Sequence, residues 1–159
     1  MGILRYNQYN SSTAQTYEEE IDMFSLISGN RGSGKTKMLI DMANERAKTS
    51  NGSSIFIDAD KSHMYDLPHN VRYISTMDLP LQSAQEFFGF VCGLMASDYD
   101  LENLYIDGLK KTMKGSLEEI AENIHRIEAF AEVSNVKVVA TVTCETEEIP
   151  EALKKYIKE

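Results

Sequence analysis

Apolar and polar positions along this chain follow two alternating rhythms. Residues 21–28 (IDMFSLIS) form a short apolar run that stops at Gly29, the pattern of a buried strand. From Lys35 to Lys48 the rhythm lengthens. Met38, Leu39, Met42, Ala43 and Arg46 fall on one face, with Lys37, Asp41, Glu45 and Lys48 opposite, which predicts an amphipathic helix. Asn51-Gly52 marks a turn, residues 54–59 (SIFIDA) a second strand and residues 71–75 (VRYIS) a third. A helix is predicted from Ser83, which has capping-box spacing with Glu86. Its residues Phe87, Phe88, Phe90, Val91, Leu94 and Met95 are apolar on more than one side, and Gly89 and Gly93 leave a flat patch. Residues 104–107 (LYID) read as a fourth strand. A second capping box, Ser116 with Glu119, opens a helix carrying Leu117, Ile120, Ala121, Ile124, Ile127 and Ala131. Residues 136–143 (VKVVATVT) are the fifth strand, and Pro150 opens a short last helix.

Strands alternating with helices call for right-handed crossovers and a parallel sheet. Strands that are apolar nearly throughout call for cover on both faces. The expected fold is therefore a three-layer α/β domain over residues 19–159, with five parallel strands and its ligand at their carboxyl ends. Residues 1–18 are rich in Asn, Gln, Ser and Thr and read as a polar arm, either flexible or adding an edge strand built on Ile3-Leu4.

The chemistry concentrates between the first strand and the first helix. Gly29, Asn30, Arg31, Gly32, Ser33, Gly34, Lys35 and Thr36 fit the phosphate-loop (Walker A) pattern G-x-x-x-x-G-K-[ST] in full. Glycines let the backbone curl so that successive amides point at phosphate oxygens, and the helix that follows adds its positive end. In such a loop Lys35 reaches the β- and γ-phosphates, and the Thr36 hydroxyl ligates magnesium. Asp107 ends the fourth strand, where a carboxylate holds Mg2+ through water, the Walker B role; an ordinary Asp-Gly turn is the alternative. Asp58 and Asp60 alternate out of the second strand on one face, and one of them would polarise an attacking water. Thr141 and Thr143 alternate into the end of the fifth strand, where a hydroxyl would sense a γ-phosphate.

Charge narrows the partners. The chain has 16 basic and 25 acidic residues, a formal net charge of −9, which argues against non-specific nucleic-acid binding. No apolar run reaches membrane-spanning length and the first residues have no signal-peptide core, so the expected location is cytoplasmic, without membrane insertion. Cys92 and Cys144 then read as reduced core thiols, and His63, His69 and His125 as surface or locally bonded histidines, since none has metal-ligand spacing.

With these residues in hand, the segments SIFIDAD (54–60), NVRYISTMD (70–78) and LYIDG (104–108) resemble the core of RecA-type recombinases and circadian-clock ATPases. The whole chain is also similar to small bacterial ATP-binding proteins sometimes labelled twitching-motility ATPases. The resemblance implies a P-loop NTPase with strand order 3-2-4-5-1. The strand before the loop is then an edge, which the N-terminal arm would cover. It also implies that Asp60 stands where that family places a water-activating glutamate; if Asp60→Asn leaves turnover intact, Asp58 or Glu145 is next in line for that role. The expected function is magnesium-dependent ATP binding with slow hydrolysis, with Lys35, Asp60 and Thr143 as the catalytic set. A nucleotide-binding partner protein with negligible turnover, acting on another protein, is the alternative; so is a small-molecule or nucleoside kinase, which would want an Arg-rich lid that the sequence lacks. Self-association through the two-sided helix, with Arg72 or Arg126 reaching a neighbour's nucleotide, is weighed against cover of that helix by residues 61–69.

Overall fold

A computed structural model describes residues 3–9, 14–20 and 22–158. Strands β1 (Ile3–Tyr9) and β2 (Ala14–Glu20) pair antiparallel, Tyr6 opposite Tyr17, as a sheet of their own. The body then runs β3 (Phe24–Gly29), α1 (Lys35–Ala47), β4 (Ser53–Asp58), β5 (Val71–Ser75), α2 (Ala84–Ser97), β6 (Leu101–Ile106), α3 (Leu109–Met113), α4 (Leu117–Ser134), β7 (Lys137–Thr143) and α5 (Glu151–Lys154).

The strands of the body form one all-parallel sheet in the order β5-β4-β6-β7-β3. In whole-chain numbering this is 5-4-6-7-3 rather than 3-2-4-5-1, because the hairpin adds two strands ahead of the sheet. Numbered from β3 within its own sheet, the order is 3-2-4-5-1.

The sheet separates two cores, as strand alternation requires. Ile55, Ile57, Leu104, Ile106, Val138 and Ala140 point to the side covered by α2, α3, α4 and α5. Phe56, Tyr105 and Val139 point to the other, where Leu39, Ile40 and Ala43 of α1 meet them. Phe56 stacks between Tyr73 and Tyr105, with ring centroids 6.0 and 6.2 Å away. Two of the helices, α2 and α4, start at a serine cap. Ser116 and Glu119 make both bonds of a capping box at α4. At α2, Ser83 accepts from the Glu86 amide, but the Glu86 carboxylate turns back to the Gln82 amide instead.

Two expectations about cover are corrected. The described residues of the N-terminal arm, β1 and β2, pair with each other in a sheet of their own and add no strand to the five-stranded sheet. The free edge of β3 is met from the other end of the chain. The Leu26 amide donates to the Tyr156 carbonyl at 2.7 Å and the Lys158 amide donates to the Leu26 carbonyl at 3.0 Å. Nor do residues 61–69 lie over α2. They sit on the α1 side, where Leu67 packs on that core and Asn44 donates to the Asp66 carbonyl. The second apolar side of α2 faces α4, and the Arg126 guanidinium lies 4.0 Å from the Phe88 ring centroid.

Candidate functional site at the carboxyl end of the sheet

A parallel sheet delivers every strand's carboxyl end to one rim, and here four of those ends surround a single cavity of about 640 Å3. The glycine loop enters from β3. Gly32 and Gly34 hold φ of 82° and 86°, a left-handed conformation that a side chain would strain, and Gly34 caps α1. This curl places Lys35 and Thr36 on the first turn of α1, facing the cavity. Lys35 is buried; its Nζ donates to the Asn30 carbonyl at 2.8 Å and lies 3.4 Å from Ser33 Oγ. With the Asn30 side-chain amide oriented to donate, the orientation its acidic neighbour requires, its nitrogen lies 3.0 and 3.2 Å from the Glu145 carboxylate oxygens and ties the loop to the segment after β7.

Asp107 follows β6 and is buried at the centre of the site. The Thr36 hydroxyl reaches its Oδ2 at 3.0 Å, and the Thr141 hydroxyl donates to its Oδ1 at 2.7 Å. The Thr141 oxygen in turn accepts from the Gly108 amide at 2.8 Å, so the turn after Asp107 is fixed from β7. Thr141 and Thr143 thus separate. Thr141 is buried against Asp107, while Thr143 is exposed at the cavity rim.

The two acids of β4 also separate. Asp58 is the last residue of the strand and is buried. Its Oδ2 accepts from the Tyr73 hydroxyl at 2.6 Å and its Oδ1 from the Ala59 amide at 2.7 Å. Burial, opposed by the Tyr73 bond and reinforced by the charges of Asp107 and Asp60, pushes its carboxyl above the ordinary value. Asp60 lies beyond the strand and is exposed, and its Oδ1 accepts from the Ser62 amide at 2.8 Å. Bonds from the Ser62 side chain and backbone hold that carboxyl below the ordinary value. Both acids line the cavity, but β7 and β6 stand between their strand and β3, so they and Lys35 do not come from adjacent strands.

Sequence reasoning missed several lining residues. Lys110 and Lys111 stand on α3, three and four residues after Asp107, in a stretch with too little periodicity to mark a helix. Tyr73 becomes relevant only because β5 pairs with β4. His63 lines the cavity and contacts Asp66 at 2.9 Å; burial lowers its pKa, but the Asp66 bond and the charges of Asp58, Asp66 and Asp107 raise it on balance. Arg72 and Arg126 do not line this cavity. Cys144 is buried and Cys92 half-buried, both as free thiols.

Among the described residues no group of three or more His, Cys, Asp and Glu side chains stands close enough to hold a metal. Asp107 and Thr36 offer two oxygen ligands, a set suited to a hard cation whose shell is completed by other oxygens. No helix among the described residues is long and apolar enough to cross a membrane. No protein-family model matches the chain, and no curated protein matches its sequence.

Proposed function

We propose that the protein binds magnesium and ATP in this cavity and hydrolyses the nucleotide slowly, as a RecA-like P-loop ATPase or ATP-driven switch. The observation that carries the reading is the contact between Thr36 and Asp107, 71 positions apart, beside the buried ammonium of Lys35. A threonine hydroxyl, a strand-end carboxylate and a lysine at the start of a helix are the three side chains that nucleotide phosphates and their cation require. The curled loop and the amino end of α1 add backbone amides. A sheet whose loop-bearing strand is at one edge, with β7 and then the Asp107 strand beside it, supports the RecA-like reading.

Within this reading Lys35 holds the β- and γ-phosphates and Thr36 and Asp107 hold the cation. Bound there, magnesium neutralises developing charge on the phosphates. Among the described residues Thr36 and Asp107 are the side chains that would hold the metal, and further oxygens from the nucleotide would be needed beside them. Thr141 fixes the orientation of Asp107 by hydrogen bond. Asp58 is better suited than Asp60 to orient the attacking water. It is buried, it is held by Tyr73 and the Ala59 amide, and its raised pKa makes it the stronger base. Asp60 is exposed, and the bonds from Ser62 hold its carboxyl below the ordinary value, which makes it the weaker base of the two.

A thermal-shift titration with Mg-ATP tests the reading. At about a hundredfold excess over Kd the folded state gains roughly 2.7 kcal/mol, a shift of several degrees in a chain of this size. Lys35→Ala removes the shift. Equal stabilisation of wild type and variant, or none of either, overturns the assignment.

A further inference from the structure

Transferring a phosphoryl group concentrates charge on its three equatorial oxygens, and a cation beyond magnesium and the loop lysine normally has to meet it. Arg72 and Arg126 lie away from the cavity: Arg126 stacks on Phe88, and Arg72 stands on β5 at the far edge of the sheet. The cavity has cations of its own. The chain carries a net charge of −9, yet Arg31, Lys35, Lys37, Lys110 and Lys111 all line this one opening.

Two of these come from outside the glycine loop and α1. Arg31 belongs to the loop, Lys35 on the first turn of α1 donates to the Asn30 carbonyl, and Lys37 is paired with Asp41 at 2.6 Å. Lys110 and Lys111 are exposed and have no ion pair within 4 Å among the described residues. Their helix, α3, begins at Gly108, directly after the central Asp107, and its start is fixed from β7 through Thr141. Both side chains line the opening together with Asp60, beyond the end of β4, and Thr141 and Thr143 of β7.

We propose that Lys110 and Lys111 supply, from within the same chain, the positive charge that stabilises the terminal phosphate during transfer. This rests on the ATP reading above. The attacking water loses a proton to Asp58, its oxygen bonds to the γ-phosphorus, and the bond to the β-γ bridging oxygen breaks to release ADP and phosphate. The lysines change protonation at no point; their ammonium groups meet the equatorial oxygens. Turnover per chain is then independent of protein concentration, because no neighbour completes the site.

The test is the double variant Lys110→Met/Lys111→Met, compared with wild type in three measurements. These are ADP affinity by calorimetry, trapping of Mg-ADP with aluminium fluoride, and single-turnover hydrolysis over a wide range of protein concentration. Both lysines are exposed, so the variant folds; circular dichroism verifies this. The expected result is ADP affinity within about threefold, loss of the trapped complex, and hydrolysis down by 10²–10³-fold, the scale of one removed charge-stabilising donor. Wild-type turnover per chain stays flat with concentration. Unchanged hydrolysis and trapping in the double variant overturn the proposal while ADP binding leaves the nucleotide reading intact. Wild-type turnover that rises with concentration, or binding without any turnover, also overturns it. Failure of wild type to bind any Mg-nucleotide removes the underlying reading itself.

Discussion

At the scale of single residues, the cavity distributes its acids by environment. Asp107 sits among hydroxyls, Asp58 is buried beside two other negative charges, and Asp60 is solvated and bonded to its own turn. These environments separate the variants. Asp107→Asn should weaken magnesium-dependent nucleotide binding by roughly tenfold or more, since a charge-assisted contact is worth about 1.5–3 kcal/mol; titration with and without magnesium measures it. Asp58→Asn should lower turnover about a hundredfold while leaving affinity nearly unchanged, and Asp60→Asn should do much less. Equal losses would return the water-positioning role to Asp60. Asp58 also has a stability signature. Its folded pKa is raised above the ordinary value of 3.8, so the native state binds the extra proton and this carboxyl costs stability as pH rises above that value. Asp58→Asn should therefore raise the melting temperature at pH 7, with the difference vanishing as pH falls well below 3.8. An unchanged or lower melting temperature at neutral pH would show that the carboxylate is not destabilising there.

At the scale of elements, the strand that launches the glycine loop depends on the last residues described. Tyr156 is buried, stacks edge-on to Phe24 at 5.3 Å, and places its hydroxyl 2.9 Å from Glu128 and 2.7 Å from His125 Nδ1 of α4. Beside it, Lys158 pairs with Asp22, just ahead of β3. The chain end thus joins α4 to the free edge of β3. Tyr156→Phe removes the hydroxyl bonds and should cost about 1 kcal/mol. Tyr156→Ala also opens a cavity against Phe24 and should cost about 3–5 kcal/mol in urea denaturation. It also frees an edge strand, which favours aggregation. A Tyr156→Ala protein as stable as wild type would show that this contact does not hold the edge. On the other face α1 carries Leu39, Ile40 and Ala43 into the core, so Leu39→Ala should cost about 2–5 kcal/mol.

At the scale of the molecule, the apolar surface has an account that does not need a second copy. Phe87, Val91 and Met95 of α2 are buried under the sheet, Phe88 and Phe90 pack at the border of the same core, and Arg126 covers Phe88. Among the described residues the exposed large apolar side chains, Met38, Met64, Tyr65, Met77, Tyr99 and Val133, are scattered through the sequence from α1 to α4. Light scattering should therefore give the 17.9 kDa of one chain, with and without Mg-ATP. A dimer in either condition would assign the open strip at Gly89 and Gly93, where an added Cβ meets nothing within 4 Å, to a contact between copies.

What the sequence determined by itself is what local chemistry determines. The glycine-loop pattern, the capping residues Ser83 and Ser116, the period of α1 and α4 and the apolar runs of the five sheet strands depend on neighbours a few positions away, so they are legible in a linear reading. So was the meeting of Thr36 and Asp107, since a phosphate-loop pattern and a strand-end acid are both visible in the linear sequence and the fold brings them into hydrogen-bond contact. Tertiary structure decided everything that depends on which strands lie side by side. It brought Tyr73 to Asp58, split Thr141 from Thr143, set Lys110 and Lys111 at the mouth of the cavity and closed the β3 edge with residues 156–158. None of these contacts has a sequence period, because each joins segments whose distance along the chain is unrelated to their distance in the fold.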